Sequence, residues 1–97
     1  MYKKYIIFEY DAVKSETNLR KHGIDFKEGQ LIWADPDLIF DVPDTLKLGE
    51  QYRLCLGRVR GKLWTAIYTK SADKIRTVSI RRSREEEEKV YESCKDG

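Results

Sequence analysis

The chain contains little cysteine and no long apolar run, and these two shortages exclude several classes of protein. Its two cysteines, Cys55 and Cys94, lie far apart and in no metal-ligand spacing, which argues against a zinc site and against a disulfide scaffold. No segment is long enough and apolar enough to span a bilayer. The short apolar run after Met1 does not have the form of a signal peptide. We therefore expect a cytoplasmic protein in a reducing compartment, with no membrane partner.

Net charge is also small, at +2 from 19 basic and 17 acidic residues. A balance this close to neutral does not by itself predict nucleic-acid binding, so the distribution of the charges matters more. The 97 residues suffice for one domain, which we expect to span residues 1–97, and a hydrophobic content of 40% permits a compact core. A domain of this size has a thin margin of stability, to which a tight-binding partner would add.

The charges are segregated along the chain. Acids are frequent from Asp35 to Asp44 and again from Glu85 to Glu88. Between them, the segment from Arg53 to Arg84 contains ten basic residues and a single acid, Asp73. This basic segment could contact phosphate groups at several points. Lysine and arginine on edge strands also keep a sheet soluble, and charge alone leaves both interpretations open.

The first part of the chain predicts a strand followed by a helix. Tyr5 to Tyr10 is rich in β-branched and aromatic residues, which is typical of a strand. Asp11 then suits a helix N-cap or a turn, and Val13 to His22 predicts a helix. Gly23 follows directly, at the position where a helix end commonly needs a left-handed residue.

Two capping-box patterns predict two further helices. Asp25 and Glu28 form the first pattern, and the Asp35-Pro36 step ends the helix that they begin. Ser83 and Glu86 form the second pattern, and the acids that follow suit the positive end of a helix dipole. We therefore expect one helix after Asp25 and another at the end of the chain.

Four strands are predicted between these helices: Leu38–Val42, Tyr52–Val59, Leu63–Thr69 and Lys74–Arg82. Arg60-Gly61 forms a two-residue hairpin turn between the second and third of them. The complete order is β-α-α-β-β-β-β-α. Tight turns between successive strands favour an antiparallel sheet with two N-terminal helices and one C-terminal helix, which is an α+β fold.

The hairpin register separates the side chains of its two strands into two faces. One face carries Leu54, Leu56, Leu63, Thr65 and Ile67, and the other carries Arg53, Cys55, Trp64, Ala66 and Tyr68. On the last strand, alternation places Arg76, Val78, Ile80 and Arg82 on one side and Ile75, Thr77, Ser79 and Arg81 on the other. The register leaves open which of the two sets joins Trp64 and Tyr68. Arginines beside Trp64 and Tyr68 could bind RNA through phosphate contacts and base stacking. The alternative is that both rings belong to a core under a helix, which we favour for Trp64.

Metal-free RNA cleavage needs a base for the ribose 2′-hydroxyl, cations for the phosphorane and an acid for the leaving oxygen. His22 is the only histidine and the natural acid or base, although it could simply end its helix. Lys21, Arg20 and the pair Arg81 and Arg82 are the candidate cations. Neighbouring strand residues point to opposite faces, so the two arginines reach one substrate only if the strand ends there. The helix cap predicted at Ser83 suggests that it does.

A metal-dependent nuclease is the competing enzymatic interpretation. Glu9 and Asp11 share one face of the first strand, and Asp41 and Asp44 are close in sequence, so either pair could hold Mg²⁺. We favour turn and cap roles for these acids. We therefore expect no metal ion and no cofactor.

Several motifs, taken in order, resemble the BrnT family of bacterial type II toxins. Phe8-Glu9-Tyr10-Asp11 is similar to the family's opening, with Tyr10 in place of the usual tryptophan. The segment from Asn18 to Phe26 is similar to its Asn-x-x-Lys-His-Gly signature. Further matches are Asp35-Pro36, Arg53 with Leu56-Gly57, Tyr68-Thr69, Ile75-Arg76, Ser79 to Arg82 with Ile80 in place of alanine, and Glu88 with Tyr91-Glu92.

This resemblance implies a RelE-like fold and a metal-independent ribonuclease that inhibits translation. It also implies a cognate antitoxin of the ribbon-helix-helix type, through which the complex would contact operator DNA. The catalytic residues implied are Lys21, His22, Arg76, Arg81 and Arg82, and the residues that we expect to bind RNA are Arg20, Arg53 and Tyr68. An alternative from a different class is a non-catalytic binding module that acts only as a co-repressor with its antitoxin.

Overall fold

The computed structural model describes residues 6–42 and 51–96. Their elements are β1 (Ile7–Glu9), α1 (Ala12–His22), a 3₁₀ helix (Glu28–Ala34), β2 (Ile39–Val42), β3 (Arg53–Val59), β4 (Lys62–Ser71), β5 (Lys74–Arg82) and α2 (Glu85–Asp96). The α+β class is confirmed. Tyr5 and Asp44 lie outside the described residues, as does the side chain of Asp41.

The sheet has five strands in the spatial order β1-β5-β4-β3-β2. The strands β2 to β5 form the predicted antiparallel meander. β1, however, pairs with β5 in parallel, with Ile7 opposite Lys74 and Glu9 opposite Arg76. The prediction of a wholly antiparallel sheet was therefore wrong, because a tight turn fixes strand direction and none joins β1 to β5. The more specific expectation of a RelE-like fold stays a prediction.

The hairpin of β3 and β4 turns at Arg60 and Gly61, as predicted. Both residues have positive φ, 53° and 81°, as a two-residue type I′ turn requires. Val59 lies opposite Lys62, and the rest of the register follows from that pair. The predicted division of the hairpin's side chains between two faces is confirmed.

A β-bulge in β5 changes which side chains share a face. Ile67 of β4 pairs with Ser79, but the next residue, Tyr68, pairs with Thr77, so Val78 is the extra residue. The alternation predicted for this strand was wrong across that point. Arg76 consequently lies on the opposite face from Arg82, although strict alternation had placed the two together.

The second predicted helix is a 3₁₀ helix. Asp25 accepts a hydrogen bond from the Glu28 N–H at 2.7 Å, as the capping-box pattern suggested, but the helical residues begin only at Glu28. Short 3₁₀ helices are common connectors, and this one lies very close to the sheet. A Cβ on Gly57 of β3 would lie 2.5 Å from the Ile32 carbonyl oxygen, so glycine allows this close approach.

Apolar side chains form one cluster on each face of the sheet. The larger cluster contains Ile24, Phe26, Ile32, Cys55, Val59, Trp64, Ala66, Tyr68, Ile75 and Ile80. The smaller one contains Leu56, Leu63 and Tyr91. Trp64 is 7% exposed, so its predicted place in the core is confirmed. In the described part of the chain, every helix is too short or too polar to cross a membrane.

The final helix begins one residue later than its capping box predicted. The N-cap position falls on Arg84, and its N–H donates to Glu87 Oε1 at 2.8 Å. Ser83 instead bonds Thr65 through their hydroxyl groups, at 2.8 Å. The capping interaction therefore lies one residue further along the chain than predicted. Glu87, and not Glu86, accepts the hydrogen bond from the N–H group of the N-cap residue.

Tyr91 joins α2 to the last residues of β3 through Asp35. Its hydroxyl donates to Asp35 Oδ2 at 2.6 Å, and the same oxygen accepts from the Arg58 N–H at 2.7 Å. Burial and the hydrogen bond to Asp35 raise the pKa of Tyr91 to about 12. The Arg58 side chain covers the Tyr91 ring at 5.2 Å and donates to Glu92 at 3.0 Å. Asp35, at the end of the 3₁₀ helix, thus joins β3 to α2.

Candidate functional site

α1 lies along the part of β5 that β1 leaves unpaired. β1 pairs with Lys74 to Arg76, and beyond Arg76 the Asn18 side chain binds β5 instead. The Asn18 Nδ2 donates to the Ile80 carbonyl at 2.9 Å, and its Oδ1 accepts from the Ile80 N–H at 3.1 Å. An asparagine amide thus satisfies the backbone groups that a neighbouring strand would otherwise pair.

A groove of about 190 Å³ runs between α1 and the β5 bulge. Its lining residues are Lys14, Thr17, Asn18, Lys21 and His22 from α1, with Val78 and Ser79 from β5. Residues spaced three and four apart share one face of a helix, which is why these five positions of α1 meet. Two lysines, one imidazole and two hydroxyl groups therefore border one small concave surface.

His22 and Lys21 lie in the last turn of α1, and both are exposed. Asp11 begins this helix by accepting hydrogen bonds from the N–H groups of Val13 and Lys14, at 2.8 and 3.1 Å. Gly23 ends it with φ 86° and donates its N–H to the Leu19 carbonyl. Both predicted ends of the helix are confirmed. Basic side chains in a last turn also interact favourably with the helix dipole.

Arg81 lies on the other face of the sheet from the larger cluster, in a two-point ion pair with Glu87. Both N–H···O distances are 2.8 Å, and the side chains are only 14% and 12% exposed. Burial alone would raise the pKa of Glu87, but hydrogen bonds from Arg81, the Arg84 N–H and Thr65 outweigh it and lower the pKa to about 2. The guanidinium of Arg81 is therefore engaged by α2.

Arg82 points to the opposite face and lies over the Trp64 ring, 5.5 Å from its centroid. β5 ends at Arg82, as predicted, but Arg81 and Arg82 still point to opposite faces because both belong to the strand. Arg82 also lines a second concave surface, together with residues of the β3–β4 hairpin and of α2 such as Lys62 and Glu88. It is not among the residues that line the groove with His22.

Arg76 lies near the start of α1, away from His22. Its guanidinium is 3.7 Å from Glu9, which also faces Lys74 at 3.7 Å. Hydrogen bonds from the Lys14 and Val13 N–H groups lower the pKa of Asp11, and the charge of Arg76 lowers it further. Arg76 therefore belongs to an exposed charge cluster around the β1–α1 junction.

The three residues expected to bind RNA occupy different surroundings. Arg20 is exposed and pairs with Glu16 at 2.9 Å, one turn back on α1. Arg53 is exposed at the start of β3, opposite Tyr68. The Tyr68 ring is 2% exposed and packs edge-on against Trp33 at 5.4 Å, so neither face of the ring is open to a base.

Much of the basic segment is paired with acids from elsewhere in the chain. Five of its cations contact carboxylates in this way: Arg58 with Glu92, Arg60 with Glu28, Lys74 and Arg76 with Glu9, and Arg81 with Glu87. Half of the ten cations of the basic segment therefore already face a carboxylate of the same chain.

Glu9 and Asp11, the first pair of carboxylates considered for a metal, have other partners in the structure. Glu9 faces two cations, and Asp11 caps α1. Within residues 6–42 and 51–96 there is no group of three or more His, Cys, Asp or Glu side chains arranged to hold a metal ion.

Sequence reasoning missed Lys14, Thr17 and Ser79 as groove residues. The spacing of Lys14 and Thr17 from Lys21 and His22 along one helix face could have identified the first two. Ser79 had no such signal, because its position depends on the bulge. Asn18 was noted only as part of a motif, and no local pattern indicates that it bonds a strand 62 positions away.

A comparison with protein-family models gives a match over residues 10–87 to the family described as the ribonuclease toxin BrnT of type II toxin-antitoxin systems. A comparison with individual curated proteins gives no match. The matched segment contains α1, the groove, the β5 bulge and both partners of the Arg81–Glu87 ion pair. Because the match covers most of its length, the chain belongs to the BrnT family of ribonuclease toxins, whose partners in type II systems are antitoxin proteins.

Proposed function

We propose that this chain is an active endoribonuclease that cleaves RNA in the groove between α1 and β5, without a metal ion, and thereby inhibits translation. The observation that carries the proposal is the grouping of the only histidine, His22, with Lys21 and Lys14 around one concave surface. An imidazole that can accept a proton, beside ammonium groups that can donate one and stabilise negative charge, provides the groups that metal-free RNA cleavage requires.

In this mechanism His22 is the base, Lys21 is the acid, and both lysines stabilise the charge that develops on the phosphorane. The ribose 2′-hydroxyl gives its proton to His22 and its oxygen bonds to phosphorus. The bond from phosphorus to the 5′-oxygen breaks, and that oxygen takes a proton from the Lys21 ammonium. The products are a 2′,3′-cyclic phosphate and a 5′-hydroxyl. Arg82, Arg76 and Arg53 lie outside the lining of the groove, and we propose that they contact the RNA chain further away.

Arg81 and Tyr68 have different roles in the proposal. The Arg81 guanidinium is bound by Glu87, so we propose that it supports the strand that carries Arg82 and contacts RNA only if α2 moves. Tyr68 is a core residue and not an RNA contact, because its ring is buried. Arg20 remains a proposed phosphate contact on the exposed side of α1.

The test uses the purified full chain and a labelled single-stranded RNA in excess EDTA. Cleavage should persist, and His22→Ala should slow it by about a hundredfold, because general acid–base catalysis contributes on that order. Lys21→Ala should also slow it, whereas Lys89→Ala removes an exposed lysine from α2 and should have no effect. Loss of cleavage in EDTA that Mg²⁺ restores would overturn the metal-free mechanism.

A non-catalytic co-repressor is the second candidate, because the five catalytic residues implied by the resemblance do not converge. Arg81 and Arg82 point to opposite faces, and Arg76 lies at the other end of α1. Expression of the chain alone separates the two functions. Growth arrest that His22→Ala relieves supports the ribonuclease, whereas soluble protein without arrest supports the co-repressor.

The antitoxin is proposed to be of the ribbon-helix-helix type, and operator DNA would then be contacted through it. The resemblance of the sequence motifs supports this proposal. The purified complex should bind operator DNA, and the toxin chain alone should not. Operator binding by the toxin alone would contradict it.

A further inference from the structure

We propose that Asn18 is a positioning residue of this reaction: its buried side chain holds the catalytic end of α1 at a fixed distance from β5. The inference rests on the proposed function, because it matters for chemistry only if His22 and Lys21 act on RNA. It adds a residue that contacts no RNA itself but sets the geometry of those that do.

Both donors of the Asn18 amide are used, and its oxygen accepts one hydrogen bond. Nδ2 donates to the Ile24 carbonyl at 2.8 Å and to the Ile80 carbonyl at 2.9 Å, and Oδ1 accepts from the Ile80 N–H at 3.1 Å. The residue is 5% exposed. Reversing the amide would put an acceptor against two carbonyl oxygens, so only one orientation satisfies the site. Asn18 thus ties α1, the loop after it and β5 together at one point.

Apolar packing does little to hold α1 in place. The buried residues of this helix are Ser15 and Asn18, which are both polar. Its larger apolar residues Val13 and Leu19 are 73% and 45% exposed. Ser15 accepts from the Phe26 N–H at 2.9 Å, which ties the helix to its own following loop. The buried side chain of Asn18 therefore joins α1 to β5 at the groove through hydrogen bonds.

This tie lies next to the proposed chemistry on both elements. Asn18 is one turn before His22 on α1, and Ile80 follows the Val78–Ser79 wall of the groove and precedes the arginines of β5. Hydrogen bonds are directional, whereas hydrophobic contact is not. Because a displacement of about 1 Å in an active site can cost about a hundredfold in rate, the Asn18 bonds determine whether the groove is productive.

The experiment compares Asn18→Asp with Ser15→Ala. The aspartate keeps the size of the side chain and one acceptor for the Ile80 N–H, but it loses both donors and faces two carbonyl oxygens. We expect kcat to fall at least about tenfold with KM nearly unchanged, the pattern of lost geometry and not of lost binding. Ser15→Ala removes one buried hydrogen bond from the same helix without touching β5, and its kcat should match wild type.

His22 provides a readout that a purely structural role would not change. As the only histidine, its imidazole gives one assignable set of NMR signals. These signals should shift in Asn18→Asp and stay at the wild-type position in Ser15→Ala, with both variants folded by circular dichroism. If Asn18→Asp does not fold, Asn18→Ser is measured at low temperature with the same expectations.

Wild-type kcat and His22 signals in a folded Asn18 variant would overturn the inference. So would an equal loss of kcat in Ser15→Ala, because the effect would then come from stability alone. If His22→Ala cleaves RNA as well as wild type, the proposed function itself fails. If His22→Ala is inactive while Asn18→Asp keeps full kcat, only the positioning role fails.

Discussion

At the scale of single residues, Arg81 shows how a candidate catalytic side chain can also hold the fold together. Its two-point ion pair with Glu87 is buried against α2, and Thr65 and the Arg84 N–H donate to the same carboxylate. Removing one partner of such a pair leaves the other charge desolvated. A loss of toxicity in Arg81→Ala therefore does not by itself identify a catalytic arginine.

A double-mutant cycle separates the two roles of Arg81. Arg81→Ala and Glu87→Ala should each lower the free energy of unfolding by about 2–4 kcal/mol, because each leaves one buried charge unpaired. The double variant should lose less than the sum. Urea unfolding gives the stabilities, and RNA cleavage at low temperature gives the activities. Arg81 acts structurally if folded Glu87→Ala and Arg81→Ala have similar kcat; a loss confined to Arg81→Ala would assign it to catalysis.

The same ion pair predicts an acid limit to stability. The pKa of Glu87 is about 2 in the folded chain, below its ordinary 4.5. A carboxyl whose pKa is lowered by folding stabilises the fold above the unfolded pKa, and this stabilisation is lost as the pH falls towards the folded pKa. Wild type should thus exceed Glu87→Gln in stability at pH 7, and the gap should narrow between about pH 4.5 and 2. A gap that stayed constant over this range would contradict the assignment.

At the scale of elements, glycine determines how closely the 3₁₀ helix approaches the sheet. A Cβ at Gly57 would meet both the carbonyl oxygen and the side chain of Ile32, at 2.5 and 2.7 Å. That helix leads to Asp35, which holds Tyr91 of α2. One small residue on β3 therefore influences elements on both faces of the sheet.

Gly57→Ala should lower the free energy of unfolding by at least about 2 kcal/mol, because the added methyl group overlaps backbone that cannot move aside easily. Gly61→Asn is the matched control. Gly61 has positive φ, but a Cβ added there would have nothing within 4 Å, and asparagine tolerates that conformation. Chemical denaturation should show a change of less than about 1 kcal/mol for the control. Equal effects would mean that backbone conformation, and not contact with Ile32, is what matters at Gly57.

At the scale of the whole molecule, ion pairing decides how much of the basic segment can meet RNA. Carboxylates from β1, the 3₁₀ helix and α2 contact five of its cations. The groove instead supplies Lys14 and Lys21 beside His22 from a helix outside that segment. RNA binding should therefore depend on a few phosphate contacts near α1.

The salt dependence of RNA affinity measures the number of those contacts. Each phosphate contact on single-stranded RNA contributes about −0.7 to the slope of log K against log salt concentration, so two or three contacts predict a slope near −2. Engagement of all ten cations of the basic segment would give about −7. Titrations with His22→Ala, which prevents cleavage, provide the measurement. A slope near −7 would show that the basic segment binds RNA despite its ion pairs.

The sequence alone determined the features whose hydrogen bonds are local. Asp11 and Gly23 fixed the ends of α1, Arg60-Gly61 fixed the hairpin and its register, and Lys74–Arg82 was found with both ends correct. In each case the partners lie within a few residues, so composition and spacing carry the information. The place of His22 and Lys21 in the last turn of α1 was also predicted this way, whereas their catalytic role stays a prediction.

Only the tertiary structure decided how distant segments meet. The parallel pairing of β1 with β5, the bulge at Val78 and the capture of Arg81 by Glu87 all depend on contacts between elements that sequence spacing does not relate. The bulge reversed the faces of β5, and burial removed Tyr68 from the surface. The groove lies where Asn18 joins α1 to β5 through its bond to Ile80. These two residues are 62 positions apart. A hydrogen bond between such distant residues depends on how the whole chain packs, and no local sequence pattern predicts it.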